Sequence, residues 1–159
     1  FGPTEIDEVA RLIHKTVTAI QPFSYMGLSG ELPRGKIELD TFEEIKAEGI
    51  TSMIDPCPCD LGRDIELTAE VAQRARFQIV AATGLYYESE GGAAHWKTRS
   101  AFGGAQDEAM AELFIRELEQ GVASTGIKPG IIKVASGFAA ITDYETSVMR
   151  AAAALQPRK

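Results

Sequence analysis

Three short apolar segments constrain the fold more than anything else in this chain: "ITSMID" (50–55), "FQIVAAT" (77–83) and "GIIKVAS" (130–136). Each has the length and β-branched content of a strand, and each is followed by a longer segment with helical periodicity. "GRDIELTAEVAQRAR" (62–76) spaces Ile65, Leu67, Val71 and Ala72 along one face. "AQDEAMAELFIRELEQGV" (105–122) puts Met110, Leu113, Phe114, Leu118 and Val122 on one stripe. "TDYETSVMRAAAALQ" (142–156) opens with a T-x-x-E capping box, Thr142 to Glu145. Upstream, "RLIHKTV" (11–17) reads as a first strand. "DTFEEIKAEG" (40–49) reads as a helix with Asp40 as N-cap, Glu43 at the capping-box position and Gly49 as its stop. Strands and helices alternating in this way build a parallel sheet from βαβ units. Two architectures satisfy the pattern, an open doubly wound sheet and a (β/α)8 barrel. A barrel takes about 250 residues, so a single domain spanning 1–159 would supply its first four β/α units.

Charge and composition remove several function classes. The net charge is −7, and no basic stripe exists to neutralise phosphates, so nucleic acid is not an expected partner. No apolar run approaches the ~20 residues of a membrane span, no signal-peptide pattern opens the chain, and no membrane partner is expected. The chain starts at Phe1 rather than Met, which reads as a processing boundary. Its two cysteines, Cys57 and Cys59 in "IDPCPCD", are one residue apart and have no other cysteine to pair with. The expected setting is therefore a reducing one, the cytoplasm. As metal ligands the pair has the wrong spacing for zinc and supplies two donors of four, so loop cysteines without a ligand role are expected. The G-x-S-x-G elbow, the Walker A loop and G-x-G-x-x-G are all absent, which argues against serine hydrolysis and nucleotide binding.

The residue that stands out is Lys133, in the middle of an apolar strand. Alternation puts it on one face with Ile131 and Ala135, and Ile132, Val134 and Ser136 on the other. A parallel sheet is covered on both faces, so the lysine points into a barrel interior or under a helix. An unpaired ammonium there would cost several kcal/mol or lose its proton. Three readings stay open: a strand-end lysine snorkelling to water, a neutral nucleophile or base, and a modified lysine bridging metals. His14, after Leu12 and Ile13, is either a satisfied core residue or a ligand. Asp55, Arg63, Asp64, Thr83 and Gly84 fall at strand ends or in the following loops, on the rim where α/β proteins place their sites. The segment 85–104 has no strong periodicity and carries Tyr86, Tyr87, Glu88, His95, Trp96 and Lys97. It reads as a long loop, either a lid over a substrate or a solvated excursion.

Several of these stretches together resemble a known family. "GRDIELTAEVAQRARFQIVAATGLYY", "ELFIRELEQGVASTGIKPGIIKVAS" and "RAAAALQ" are similar to the phosphotriesterase-related (aryldialkylphosphatase-like) family of the amidohydrolase superfamily, over residues 40 to 155 and more weakly towards the N-terminus. The resemblance implies a (β/α)8 barrel that hydrolyses phosphotriesters, lactones or other small esters with a metal-activated water. It implies two divalent metals, usually zinc, bridged by a carbamylated lysine at the position of Lys133. His14 matches the first metal ligand of the family's opening His-x-His, whereas Thr16 stands in place of the second. Tyr86, Tyr87 and Trp96 are the expected substrate contacts. The family's later ligands, two histidines and an aspartate, have no counterpart in these residues. Three arrangements are compatible with that: a piece of a longer enzyme, a homodimer or other pairing that completes the barrel, or a relative without catalysis that serves as a binding or assembly module.

Overall fold

The computed structural model describes residues 39–102, 105–138 and 140–155. The first strand expected at 11–17, and with it His14, Lys15 and Thr16, lies outside the described residues. In chain order the elements are α1 (Leu39–Ala47), β1 (Ser52–Asp55), a 3-10 turn (Cys59–Leu61), α2 (Ile65–Ala75) and β2 (Gln78–Gly84). Then come α3 (Ala93–Ala101), α4 (Gln106–Gln120), β3 (Ile131–Lys133) and α5 (Asp143–Ala153). They fall into two compact units, with β2 passing from the first to the second.

The first unit holds α1, β1, α2 and the opening residues of β2. Its core is a small cluster of Phe42, Ile45, Leu67, Val71, Ala75 and Phe77, with the Phe42 and Phe77 rings edge to face at 5.3 Å. Of the face expected on α2, Ile65, Leu67 and Val71 are buried and Ala72 is half-buried, while Thr68 and Ala75 join the buried side. Asp64 caps this helix by accepting the Leu67 amide at 2.9 Å. β1 pairs with β2, and the Gln78 amide donates to Thr51 O at 3.1 Å just outside the strand. Asp40 is not the N-cap of α1, because the helix already includes Leu39; Gly49, at φ +83°, ends the turn that follows it.

In the second unit β2 pairs parallel with β3, in the register Ala82↔Ile131, Thr83↔Ile132 and Gly84↔Lys133. A helix-side core of Leu85, Trp96, Met110, Phe114, Tyr144 and Val148 joins α3, α4 and α5. Of the stripe expected on α4, Met110 and Phe114 are fully buried. Two expectations are corrected in this unit. The segment 85–104 is not a long loop: Ala93–Ala101 forms a helix that seats Ala93 and Trp96 in the core. Only those two of its residues are buried, which is why its apolar period was too weak to read. "GIIKVAS" is not a strand buried on both faces either, since only Ile131–Lys133 is strand and all three residues are half-buried.

The capping box of α5 is complete. Thr142 Oγ1 accepts the Glu145 amide at 3.2 Å, and Glu145 Oε2 accepts the Thr142 amide at 3.1 Å. Replacing Thr142 with alanine is expected to cost about 1 kcal/mol, read as a lower urea midpoint at unchanged m-value.

Candidate functional site

The register decides which way Lys133 faces. Its neighbour Ile132 packs against the helix-side core, so by alternation Ile131 and Lys133 take the opposite face of the sheet. That is the face a barrel turns inward. The alternative in which Lys133 lies under a helix does not hold in this unit. Lys133 is half-buried, and its Nζ stands 4.6 Å from the centroid of the Tyr86 ring. A cation over an aromatic face gains electrostatic attraction from the ring. The Tyr86 and Tyr87 rings lie 4.4 Å apart, so Lys133, Tyr86 and Tyr87 form one group at the end of β2 and β3. The Tyr87 hydroxyl is pushed up to about 12, first by its hydrogen bond to the Glu90 carboxylate, and so stays a neutral phenol at neutral pH. Trp96 stands apart from this group. It is 8% exposed in the helix-side core, with the His95 ring perpendicular to it at 5.0 Å.

Gly84 makes the close approach of the two strands possible. Its φ is +120°, and a Cβ there would lie 1.9 Å from the Lys133 carbonyl oxygen. The same oxygen accepts the Leu85 amide at 3.2 Å, which carries the chain from β2 into the tyrosine segment.

Four buried or half-buried charged residues then hold the rim in place. Arg63, from the Gly-Arg-Asp stretch, makes a bidentate pair with Glu117 of α4 at 2.6 and 2.9 Å and donates to Ala82 O at 2.6 Å. The two side chains are 3% and 7% exposed. Burial alone would loosen the guanidinium proton, but the hydrogen bonds and charge of Glu117 outweigh it and raise the arginine further. Asp60, in the 3-10 turn, accepts the Tyr86 amide at 2.9 Å and the Gly92 amide at 3.0 Å, tying the tyrosine segment to the start of α3. Glu145 accepts the amides of Gly137 at 3.0 Å and Glu88 at 3.2 Å as well as that of Thr142. Thus Arg63 and Asp64 of the expected rim set are a clamp and a helix cap. Glu117, Asp60 and Glu145 are the positioning residues that sequence reading missed as such. For Glu117 the signal was present: it lies three residues beyond Phe114, on the apolar stripe.

The amide of Thr142, then those of Glu88 and Gly137, favour the Glu145 carboxylate against its burial and hold it below the ordinary carboxylate range. The folded state therefore binds this proton more weakly than the unfolded chain. Its stabilisation is complete above the ordinary glutamate range and is lost as pH falls through the lower folded value. Glu145→Gln is expected to flatten the acid limb of a stability-against-pH curve, and an unchanged limb would assign the acid sensitivity elsewhere.

Cys57 Sγ donates to Leu61 O at 3.5 Å, and among the described residues neither cysteine belongs to a group of three or more side chains able to hold a metal. The Cys59 surface is partly open, yet protein atoms crowd its sulfur, whose nearest polar partner is Gly84 O at 3.9 Å. That desolvation first, and the Asp60 charge next, push its thiol up to about 11, against thiolate formation. Among the described residues there is no group of three or more His, Cys, Asp or Glu side chains able to hold a metal ion. Lys133 alone does not make such a centre, so the described residues do not fit a binuclear metal site by themselves.

A parallel sheet with helices on one face and a lysine on the other belongs to the (β/α)8-barrel class, and solved structures agree. An organophosphorus hydrolase from Deinococcus radiodurans superposes with a TM-score of 0.70 at 39% identity, covering 73% of this chain and 34% of that one. A mutant PTE-like lactonase from the same organism gives a TM-score of 0.67 at 30% identity over 87% of this chain and 37% of its own. The Phosphotriesterase family model matches residues 15–159, and the chain belongs to that family. A phosphotriesterase homology protein of Mycobacterium tuberculosis is 38% identical over 118 residues, which is 72% of this chain and 35% of the relative. The chain thus spans about a third of the length of the relatives it matches.

Proposed function

We propose that this chain contributes part of the catalytic rim of a phosphotriesterase-like hydrolase acting on small esters, phosphotriesters or lactones. The observation that carries the reading is the placement of Lys133 on the face of the sheet opposite the described helices of its unit, beside Tyr86, in a chain of this family. The names of the similar solved enzymes, an organophosphorus hydrolase and a PTE-like lactonase, support the two substrate classes. Lys133 is the proposed catalytic and metal-bridging position, as a carbamate, and His14 the proposed ligand from the first strand. The metal is a divalent ion of the zinc kind, with the remaining ligands supplied from outside the described residues. When bound, it would supply an activated water. Tyr86 and Tyr87 offer an aromatic wall and a phenol donor to a bound ester. No described helix is long and apolar enough to cross a membrane, and two cysteines only one residue apart, with no other cysteine in the sequence, support a reducing location such as the cytoplasm.

The test is hydrolysis of a p-nitrophenyl dialkyl phosphate and of a δ-lactone by the native protein and its Lys133→Met variant, with zinc supplied. At least one substrate is expected to turn over, with a loss of about a hundredfold or more in the variant, the scale expected when an essential group is removed. Equal rates in both proteins would rule out the role of Lys133. An inert native protein would favour the second reading, a binding or assembly module, which the threonine at position 16 supports.

A further inference from the structure

The geometry points to a second ligand site, a small cavity bearing two arginines on the helix side of the second unit, suited to an aromatic oxyanion such as an aryl phosphate or aryl carboxylate. The cavity has a volume of about 590 Å³, within the range that holds small organic ligands. Lys133, Tyr86 and Tyr87 are not on its wall, so it is separate from the rim group. Its apolar side is formed by Trp96, Leu85 and Leu113. Two arginines reach it from different helices, Arg99 of α3 and Arg116 of α4.

The charge balance selects the ligand. Among the described residues Lys46, Arg63, Arg74 and Lys97 each form an ion pair, but Arg99 and Arg116 do not. Two acids also line the cavity. Asp60 is committed to the amides of Tyr86 and Gly92, which leaves Glu112 as the one acid there without such a bond. Glu112 is placed four residues before Arg116, a spacing that favours pairing, yet the two are not joined. Two guanidinium forks facing one space match the paired oxygens of a phosphate or carboxylate. The part of Trp96 that reaches the cavity adds, with Leu85 and Leu113, an apolar wall for an aromatic body.

Trp96 is the chain's single tryptophan, which makes its fluorescence a local reporter. The experiment titrates the protein with phenyl phosphate, benzoate and, as the uncharged control, phenol, with calorimetry on the same solutions. A saturable change with either anion and none with phenol is expected; the stronger of the two anions identifies the headgroup preferred. Arg99→Gln and Arg116→Gln, both surface changes, should each weaken binding by about tenfold or more, while Lys133→Met should leave it unchanged. The proposal is overturned by equal responses to phenol and the anions, by no saturable response, or by arginine variants that bind like the parent. Loss of binding in Lys133→Met would relocate the ligand to the rim and overturn it equally. None of these readouts depends on hydrolysis, so failure here and failure of the hydrolase reading are distinguishable.

Discussion

Replacing Arg63 with alanine is expected to lower stability by about 3–5 kcal/mol, because it strands the buried Glu117 carboxylate without its partner. For a chain of this size that corresponds to a fall in Tm of about 6–20 °C. Both guanidinium bonds to Glu117 and the bond to Ala82 O disappear together, and the empty space is walled by the loop, β2 and α4. The pair itself need not be a large source of stability, since two charges have been taken out of water to make it. The double variant Arg63→Met, Glu117→Leu should therefore recover much of the loss, and denaturation of the two single and the double variants forms the cycle that tells these cases apart. If Arg63→Ala unfolded at the parent's urea concentration, the clamp would be dispensable.

Gly84→Ala is the second large effect. A methyl group there meets the Lys133 carbonyl at 1.9 Å, backbone against backbone, at a φ of +120° that L side chains rarely adopt. Strain of this kind costs roughly 1–3 kcal/mol before any displacement. Relief requires β3 to move away from β2, which gives up the Leu85 amide bond and shifts Lys133 from the Tyr86 ring. The variant is thus expected to lose stability and hydrolysis together. Thr142→Ala, by contrast, should lose stability with activity largely kept. A Gly84→Ala protein with parental activity would show that the position of Lys133 is not set by this contact.

The alternation of strands and helices was legible because each strand is short and apolar and α2, α4 and α5 carry clear stripes. The structure and the solved relatives bear out the barrel class that this alternation allowed. What the sequence could not supply was direction. A period of two separates Lys133 from Ile132 but does not say which of them meets the helices; the packing of Ile132 does. α3 went unread because seven polar or exposed positions surround Ala93 and Trp96. Asp60 and Glu117 were treated as ordinary acids, and Glu145 only as the capping-box partner of Thr142, because their other partners are backbone amides or an arginine distant in sequence. Gly84 was read only as the end of a strand, whereas its lack of a side chain is what lets Lys133 approach.

The central claim is that Lys133 is the rim lysine of a phosphotriesterase-like site. Carbon-13 NMR of the native protein, prepared with labelled bicarbonate and zinc, tests it most directly. A carbamate resonance that disappears in Lys133→Met, together with hydrolytic activity, is the predicted result. Full hydrolytic activity in a protein whose Lys133 remains a free amine would contradict it.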